Sequence, residues 1–514
     1  MAEKQGIDWS SLWKKEDWWG VWIGFLIIAL VLVGLTVKIP KFKWITDGEF
    51  TSYTVKMTPA VEKLAKEAEG KGEVALKDSL VALKTSIDSK NRKAIGDAAK
   101  KVEDTAKTAK DEGLKKRAGK LGKDTKGHAG NLLTKVFSSE NIKWIIYIGI
   151  GYLILSIIAM TLMGEKVGSY IFGYSIVFIL AVLGLFIAGN YTVHEYGVSY
   201  VLWCLFLGLF VSNLIGTPEW LKVAVRTEFY IKSGLVILGS RILFGEIVKA
   251  GAYGLVQALL VVFVVWYFCF WFATKVMKVD DDFAAVLSSG VSICGVSAAI
   301  ASAGAIKSDP KKLSYVISIL LICSIPMIIG MPIIIKATGM SDVMGGAWIG
   351  GTIDNSGSVV AATEMVSDTA MKIGVIVKMS QNVLLGIAAF ALAVVWTFKK
   401  ATQVPGGEKP GVIEIWYRFP KFVVGFLAAS LVFSFILAPE TVSAVKGSLR
   451  GLETWWFSLA FVCIGLETRF IELAKLGEGR PAIAFLTAQA FNIVWTLVLA
   501  YLIFGGVLFP APKF

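Results

Sequence analysis

Two stretches rich in glycine and serine decide how the hydrophobic part of this chain folds. Residues 289–301 read SGVSICGVSAAIA, and residues 350–362 read GGTIDNSGSVVAA. Small residues, hydroxyls and the carboxylate of Asp354 stand where neighbouring segments carry Leu, Ile, Val and Phe. At membrane depth, polar or irregular backbone survives only where protein or a water-lined cavity covers it, and a carboxylate there indicates a functional site. We therefore expect the two stretches to be facing halves of one site.

The composition places these stretches in a membrane protein. The chain has 514 residues, is 55% hydrophobic and only 18% charged, and has a mean hydropathy of +0.66. Its repeated apolar runs predict an all-α polytopic membrane protein. The net charge of +13 is partly local to residues 38–143, so it gives no reason to expect a nucleic-acid partner. The five cysteines lie in apolar segments without C-x-x-C spacing and, with two histidines, predict neither a disulfide framework nor a metal centre.

The apolar runs predict thirteen segments, several of them short or interrupted by glycine, of which about 11–13 cross the membrane. Their predicted bounds are 19–37, 143–163, 169–189, 198–215, 231–246, 252–276, 284–305, 313–336, 345–363, 373–397, 421–438, 452–468 and 482–505. The first has no small-residue cleavage site and is expected to be a retained anchor.

Three regions follow from these runs. Residues 1–45 form an N-terminal transmembrane anchor, 46–140 a soluble helical insertion rich in Lys and Ala, and 141–514 a transporter-like transmembrane core. Apolar residues recur at helical spacing in the insertion, which predicts two to four amphipathic helices of marginal stability. Its basic charge could contact anionic lipid or solute, although a solvated helical spacer is the simpler interpretation. The Lys/Arg bias of the short loops predicts a cytoplasmic N-terminus in a bacterial inner membrane, with the insertion and C-terminus outside.

An internal repeat indicates that the core is built from two related halves. Residues 236–251 read VILGSRILFGEIVKAG and residues 462–477 read VCIGLETRFIELAKLG, with six of sixteen positions identical. The preceding residues 205–213 and 423–431 align loosely. An odd number of predicted spans separates the copies, so their membrane orientations are opposite, as in inverted-repeat transporters. The alternative is convergent chemistry at helix ends.

Each polar stretch is expected to interrupt a helix and to expose backbone groups to a solute. Amides at the N-terminus of a half-helix suit an anion, whereas free carbonyls suit a cation. Alternatively, the small residues could be there only to let helices pack closely. Close packing does not explain the adjacent polar side chains of Asp354, Asn355 and Ser356. Asp354 and Asn355 are the candidate ligands of a coupling ion. The predicted substrate-binding residues are Ser289, Gly290, Ser292, Cys294, Gly295, Ser297, Thr352, Asp354, Asn355, Ser356, Ser358, Lys378, Gln381 and Asn382.

Two basic residues at membrane depth have alternative interpretations. Lys378 could balance Asp354 or an anionic solute, or it could extend to the interface. Arg241 is costly in an apolar helix unless paired, and Glu246 is near enough in sequence to share a loop with it.

These residues resemble the sulfate exporter family, a bacterial integral membrane family in the clan of bile-acid symporters and cation–proton antiporters. The motifs that carry the resemblance are VLSSGVSICGVSAAIASAGAI (286–306), GGTIDNSGSVVAATEM (350–365), VKMSQNVLLG (377–386), FPKFVVGF (419–426) and CIGLETRF (463–470). The resemblance covers about residues 165–505 and implies inverted repeats with broken, crossing helices, a moving core domain and an elevator mechanism. The helical insertion lies outside it.

The chain departs from the family's pattern at three positions. Asp354 and Asn355 stand where the family carries His followed by an acid, and Gln381 stands where it carries Arg. Replacing His by Asp exchanges a group that titrates near neutrality for one that is normally ionised, and losing Arg removes an anion-binding fork. These departures favour a carboxylate that binds Na⁺ or H⁺, or a solute other than a small oxyanion.

The sequence therefore predicts a secondary transporter, coupled to H⁺ or Na⁺, that moves a small anionic solute such as sulfate, a sulfonate or another oxyanion by alternating access. A cation/proton antiporter that uses Asp354 is an alternative, and so is a membrane scaffold or receptor that acts through the insertion. No enzyme motif and no cofactor are expected. The expected partners are the solute or ion, the lipid bilayer and a second copy of the chain in a homodimer.

Overall fold

The structure is a computed structural model that describes residues 10–35, 37–401, 413–471, 479–510 and 512. These residues are almost entirely helical and contain no β-strand, apart from one isolated bridge between Trp44 and Asn190. The prediction of an all-α polytopic membrane protein is confirmed.

The helices follow one another through the chain with short connections. The first ten are α1 Ser11–Lys14, α2 Glu16–Leu32, α3 Asp47–Gly70, α4 Val74–Asp88, α5 Arg92–Thr108, α6 Glu112–Gly130, α7 Leu133–Val136, α8 Ser139–Met163, α9 Val167–Ala188 and α10 Tyr191–Glu195. The next seven are α11 Tyr200–Phe210, α12 Glu219–Lys222, α13 Thr227–Gly239, α14 Phe244–Trp271, α15 Asp281–Ser289, α16 Val296–Ile306 and α17 Pro310–Thr338. The remaining seven are α18 Asp342–Thr352, α19 Ser356–Val366, α20 Asp368–Ala401, α21 Ile413–Arg418, α22 Lys421–Leu431, α23 Pro439–Glu467 and α24 Arg480–Phe504. Four π-helical turns also occur: π1 Val211–Ile215, π2 Phe272–Val276, π3 Gly290–Cys294 and π4 Val432–Ile436.

Seven described helices are long and apolar enough to cross a membrane: α8, α9, α14 with π2, α17, α20, α23 and α24. The other six predicted segments correspond to shorter or interrupted helices. α2 has 17 residues and α13 has 13, α11 and α22 each end in a π turn, and α15–α16 and α18–α19 are each broken in the middle. The segments were thus found in sequence, and the expectation that several are short or interrupted agrees with these helices.

One predicted boundary is wrong. The segment 231–246 was expected to be a single span, but α13 ends at Gly239 and α14 begins at Phe244. The carboxylate of Glu246 accepts a hydrogen bond from the Leu243 N–H at 3.2 Å, which caps the start of α14. Glu246 is therefore a helix-capping residue.

The chain divides into two compact units. The membrane unit comprises residues 1–38, 150–184 and 201–514 over their described parts, and the helical unit comprises 39–149 and 185–200. Within the helical unit, α3 to α6 are four amphipathic helices. Their apolar stripe, which includes Val61, Leu80, Leu83 and Val102, lies in one buried cluster. This arrangement agrees with the helical spacing of the apolar residues in the sequence.

Glu49 ties residues 185–200 to α3 inside the helical unit. Its carboxylate accepts hydrogen bonds from the Thr46 N–H at 2.8 Å, from the amide of Asn190 at 3.2 Å and from the hydroxyl of Thr192. Burial alone would raise the pKa of Glu49, but these donors together lower it to about 2. The segment that contains Asn190 was predicted to belong to the core, and the sequence gave no sign of this contact.

In the membrane unit, two glycines of the internal repeat make matching contacts. A Cβ on Gly239 of α13 would lie 2.4 Å from the Phe426 carbonyl oxygen in α22. A Cβ on Gly465 of α23 would lie 2.4 Å from the Leu205 carbonyl oxygen in α11. Both glycines therefore allow a close helix crossing that no larger residue permits.

Hydrogen bonds near these glycines also occur at corresponding positions in the two copies of the repeat. Ser212 in π1 donates its hydroxyl to the Thr468 carbonyl at 2.9 Å, and Ser430 in α22 donates to the Ile242 carbonyl at 2.5 Å. Thr468 and Ile242 occupy equivalent positions of the repeat, and the two serines are equivalent in the alignment of 205–213 with 423–431. The similarity of sequence thus extends to individual contacts. Positions 472–477 of the second copy lie outside the described residues, and the opposite orientation of the copies stays a prediction.

Candidate functional site

Both polar stretches interrupt a helix, and the two interruptions touch. The first lies between π3 and α16 at Gly295, whose φ of +62° and ψ of −118° are open to glycine but strained for other residues. The second lies between α18 and α19, where Ile353 and Asn355 are extended. A Cβ built on Gly295 would lie 3.3 Å from the Cβ of Asp354. The backbone at one break is therefore in contact with the carboxylate-bearing residue of the other.

Asp354 has a carboxylate without a partner. The residue is 2% exposed, and within the described part of the chain neither carboxylate oxygen has a hydrogen-bond partner. The neighbouring Asn355 is engaged differently, because its side-chain oxygen accepts the Ser358 N–H at 2.7 Å and caps α19. An uncompensated buried carboxylate is costly unless it binds a proton or a cation. Of the two predicted ion ligands, Asp354 has its side-chain oxygens available, whereas the Asn355 oxygen is used as a cap.

A side-chain pair on α20 links the two breaks. The Lys378 ammonium donates to the Ile293 carbonyl of the first break at 2.8 Å and to the Gln381 side-chain oxygen at 2.9 Å. Gln381 in turn donates to the Gly351 carbonyl of the second break at 3.0 Å. Lys378 is 2% exposed, so the alternative in which it extends to the interface is wrong. Its hydrogen bonds go to a carbonyl and an amide oxygen, and it makes no direct ion pair with Asp354.

A second pair of side chains, Gln489 and Asn492 on α24, also links the two breaks. The Asn492 amide donates to the Val291 carbonyl of the first break at 3.3 Å and to the Thr352 carbonyl of the second at 3.2 Å. Gln489 also donates to the Thr352 carbonyl, at 3.1 Å. The Thr496 hydroxyl donates to the Asn492 side-chain oxygen at 2.8 Å, which fixes the orientation of the amide.

Sequence reasoning missed these α24 residues. Gln489, Asn492 and Thr496 are spaced i, i+3 and i+7, which puts them on one face of a helix that is otherwise apolar. Three buried polar side chains on one face of a membrane helix are a detectable signal. They lie more than 120 residues after the second break, so no local pattern connected them with it.

The other predicted residues lie in or beside the breaks and are mostly buried. Ser289 and Ser292 donate their hydroxyls to carbonyls one turn earlier in their own helix, at 2.9 and 2.7 Å, which is compatible with a packing role. Asn382 donates to the Ser356 hydroxyl at 3.2 Å. The buried predicted residues are Ser289, Gly290, Ser292, Cys294, Gly295, Thr352, Asp354, Asn355, Ser358, Lys378, Gln381 and Asn382, and the half-buried ones are Ser297 and Ser356.

Unpartnered oxygen atoms are the chemical signature of this region. Among the described residues, buried side-chain oxygens without a hydrogen-bond partner include both of Asp354 and one each of Thr352, Ser358, Asn382 and Gln489. Buried polar atoms are normally paired, so such a group needs an explanation, and a bound ion is one. The described residues hold no group of three or more His, Cys, Asp or Glu side chains that would suit a transition metal. One carboxylate with hydroxyl and amide oxygens instead offers oxygen ligands, which suit hard cations.

Arg241 is paired, but not with the predicted partner. Its guanidinium lies 2.8 Å from Glu453 of α23 and 2.7 Å from Asp368 at the start of α20. The expected pairing with Glu246 is wrong, because Glu246 faces Lys372 at 3.9 Å and caps α14. Arg241 and Glu453 are 2% and 3% exposed, so the pair satisfies two charges that would otherwise be buried alone.

The fold and the two helix breaks in contact define a helical multi-pass membrane protein with an internal polar centre. The chain belongs to the family of UPF0324 membrane proteins, and the family model described as Conserved hypothetical protein 698 matches residues 172–484. It is 36% identical over 510 residues to UPF0324 membrane protein RB9488 of Rhodopirellula baltica, covering 96% of this chain and 91% of that protein. It is 33% identical over 561 residues to a UPF0324 membrane protein of Nitratidesulfovibrio vulgaris, covering 98% and 96%. No solved structure matches the chain.

The family match includes both breaks and α20. It ends at residue 484, before the polar face of α24, and it begins after the helical insertion. The predicted resemblance thus identified a conserved membrane family. The names of these relatives describe membrane proteins and give no solute.

Proposed function

We propose that this protein is a secondary transporter that works by alternating access and binds its coupling cation, H⁺ or Na⁺, at Asp354. The observation that carries the proposal is the contact between two helix breaks at Gly295 and the unpartnered carboxylate of Asp354. Discontinuous helices that meet inside a membrane bundle are the usual way in which transporters build a solute site.

The breaks supply groups for a solute as well as for an ion. α16 and α19 both begin at the centre, so their N-terminal ends place positive potential there. Lys378 adds a buried positive charge whose donors already hold Ile293 and Gln381. These features support a small anionic solute, such as sulfate, a sulfonate or another oxyanion, as the substrate class. Its site lies between the two breaks in this proposal.

A cation/proton antiporter is the second candidate, and the excess of unpartnered oxygens favours it. Six buried acceptor atoms on five of the described residues lack a donor. Lys378 donates to the Ile293 carbonyl and the Gln381 side chain instead, and Asn492 donates to backbone carbonyls. In this candidate the cation itself is the cargo, and Asp354 exchanges it for a proton.

Transport by purified protein in liposomes tests the proposal. Sulfate, sulfonate and carboxylate counterflow is measured alongside the change of internal pH when Na⁺ or K⁺ is added without solute. We expect Asp354→Asn to abolish cation-coupled flux, because the amide keeps the shape of the side chain and removes its charge. Asp342→Asn is the matched control, since Asp342 is exposed in the first turn of α18.

The outcomes separate the candidates. Solute counterflow that depends on Asp354 supports the anion carrier, whereas cation-driven pH change without solute supports the antiporter. Full coupled flux in Asp354→Asn contradicts both. Deleting residues 50–138 tests the scaffold alternative, because a transporter retains flux without them. We also propose a bacterial inner membrane with a cytoplasmic N-terminus and an external helical unit, which cysteine labelling of Lys101→Cys from outside intact cells checks.

A further inference from the structure

The helical unit contains a cleft of about 860 Å³. Its walls come from residues 39–45, the end of α6 and residues 185–200. A volume of this size is within the range of sites that hold small molecules. The cleft lies wholly within the helical unit, outside the proposed transport site.

The cleft opens where a candidate membrane span ends. Leu185 and Ala188 line it and belong to the last turn of α9, a helix with a mean hydropathy of 2.6. Trp44 lines it as well, stacks on Phe186 at a ring-centroid distance of 5.2 Å and donates its indole N–H to the Phe186 carbonyl at 2.9 Å. Tryptophan at the end of a span is typical of the interface between membrane and water. The cleft therefore lies at the end of α9, beside an aromatic pair of the kind found at membrane interfaces.

Three lysines give the cleft a positive charge. Lys41, Lys43 and Lys123 line it and are exposed, and Asp124 is the acidic residue among the lining side chains. Within the described part of the chain, none of the three ammonium groups has a carboxylate within 4 Å. Some basic residues elsewhere in the described residues of the unit do have such partners, whereas others, such as Lys100, Lys101 and Lys116, do not; the paired ones are Lys71, Lys77, Lys84, Arg92, Lys107, Lys115, Arg117 and Lys126. The lining of the cleft thus carries three lysine charges against the one carboxylate of Asp124.

Histidine and apolar side chains complete the lining. His128 and His194 add imidazole nitrogens, and burial lowers the pKa of His128, so its ring is neutral at pH 7 and can hydrogen-bond without charge. Ile39, Leu185 and Val198 form an apolar wall that continues from the end of the span. A cationic rim above an apolar wall matches an amphiphile that carries negative charge at one end.

We propose that this cleft binds the headgroup of an anionic phospholipid, with the phosphodiester between Lys41, Lys43 and Lys123 and the acyl chains along Ile39, Leu185 and Val198. The continuity of the apolar wall with α9 favours a lipid over a free anion, because a free anion gains nothing from that wall. The helical unit is then held at the bilayer surface by lipid contacts as well as by its own covalent links to α8 and α9. This inference is independent of the transport proposal.

The test uses the full-length protein purified in a neutral detergent. Dioleoylphosphatidylglycerol or dioleoylphosphatidylcholine is added, and retained lipid is counted by native mass spectrometry together with the apparent Tm. The variant is Lys41→Gln/Lys43→Gln/Lys123→Gln, and the matched control is Lys100→Gln/Lys101→Gln/Lys116→Gln, three exposed lysines away from the cleft. Each surface lysine contributes enough to anionic-lipid binding that removing three weakens it on the order of a hundredfold.

We expect wild type and control to retain phosphatidylglycerol in preference to phosphatidylcholine, and the cleft variant to lose that preference while keeping its Tm in detergent alone. A cleft variant that prefers phosphatidylglycerol as wild type does overturns the proposal. Soluble glycerol 3-phosphate provides the second arm. If it raises the Tm as much as the lipid does, and the cleft lysines are needed for this, the site takes a free anion and the lipid assignment is wrong. Should the triple variant fail to fold, Lys41→Gln/Lys43→Gln is measured in its place.

Discussion

Replacing Gly295 by alanine tests whether the contact between the breaks depends on a backbone that glycine alone adopts easily. The residue has a φ of +62° and a ψ of −118°, and a new Cβ would lie 3.3 Å from both the carbonyl carbon and the Cβ of Asp354. Holding a non-glycine residue in such a conformation costs about 1–3 kcal/mol. The neighbouring Asp354 backbone must also yield by a few tenths of an ångström, which displaces the carboxylate.

Gly304→Ala in the same half-helix is the matched control. No φ strain applies there, and a Cβ on Gly304 meets nothing within 4 Å. Alanine in a helix is more favourable than glycine by roughly 0.5–1 kcal/mol, so this variant is stabilised. The two variants are therefore expected to differ by about 1.5–4 kcal/mol in the free energy of unfolding, with opposite signs relative to wild type.

The assay is thermal unfolding of both purified variants, followed by cation-coupled flux in liposomes. Gly295→Ala should lower the apparent Tm and the flux, whereas Gly304→Ala should raise the Tm and leave the flux unchanged. Equal Tm values for the two variants would refute the reasoning, because they would show that the break tolerates a side chain. A lowered Tm with normal flux would show that the break is structural and that its contact with Asp354 is unimportant for transport.

Three further predictions concern named side chains. Asn492→Leu leaves the Val291 and Thr352 carbonyls without this donor and should lower the free energy of unfolding by about 1–3 kcal/mol, measured as loss of apparent Tm. An unchanged Tm would contradict the role of Asn492 in holding the two breaks together. Glu453→Gln should cost on the order of 3 kcal/mol, measured in the same way, because it removes a counter-charge of the buried Arg241; a neutral effect would show that Asp368 suffices. The pKa of Glu49 is about 2 in the folded protein and 4.5 in the unfolded chain. The hydrogen bonds to its carboxylate therefore stabilise the fold fully above pH 4.5, and this stabilisation is lost as the pH falls towards 2. Glu49→Gln should therefore flatten the fall of Tm between pH 5 and 3, whereas Asp97→Asn should not, and equal pH profiles would contradict this assignment.

The positions of the two breaks could be predicted from sequence, and the reason is local. Glycine at 295 and the run of polar residues from 354 to 356 are incompatible with a regular lipid-facing helix. A few neighbouring residues are therefore enough to predict each interruption. The helical insertion could be recognised for the same reason, because the spacing of Leu80, Leu83 and Val102 describes one helix face at a time.

The partners of the buried basic residues Arg241 and Lys378 could not be predicted, because each contact joins positions far apart in the chain. Arg241 was assigned to the nearby Glu246, but its carboxylates are 127 and 212 residues away, on α20 and α23. For Lys378 the sequence left a counter-charge to Asp354 or to an anionic solute open, and it gave no sign of the hydrogen bond to the Ile293 carbonyl, 85 residues earlier. In both cases only the sequence neighbours of the charge were known, and tertiary packing decides which oxygen it meets.

The contacts of π1 have a consequence for biosynthesis. Ser212 donates to the Gly465 and Thr468 carbonyls, which are 253 and 256 residues later in the chain. At bacterial rates of about 5–20 residues per second, the ribosome needs roughly 10–50 s to make the acceptors after the donor has been synthesised. During that time the Ser212 hydroxyl has only the acceptor within its own helix, the Leu209 carbonyl at 3.2 Å. The first half of the repeat therefore matures only after almost the entire protein has been inserted, and a nascent chain arrested before residue 468 should be sensitive to membrane proteases.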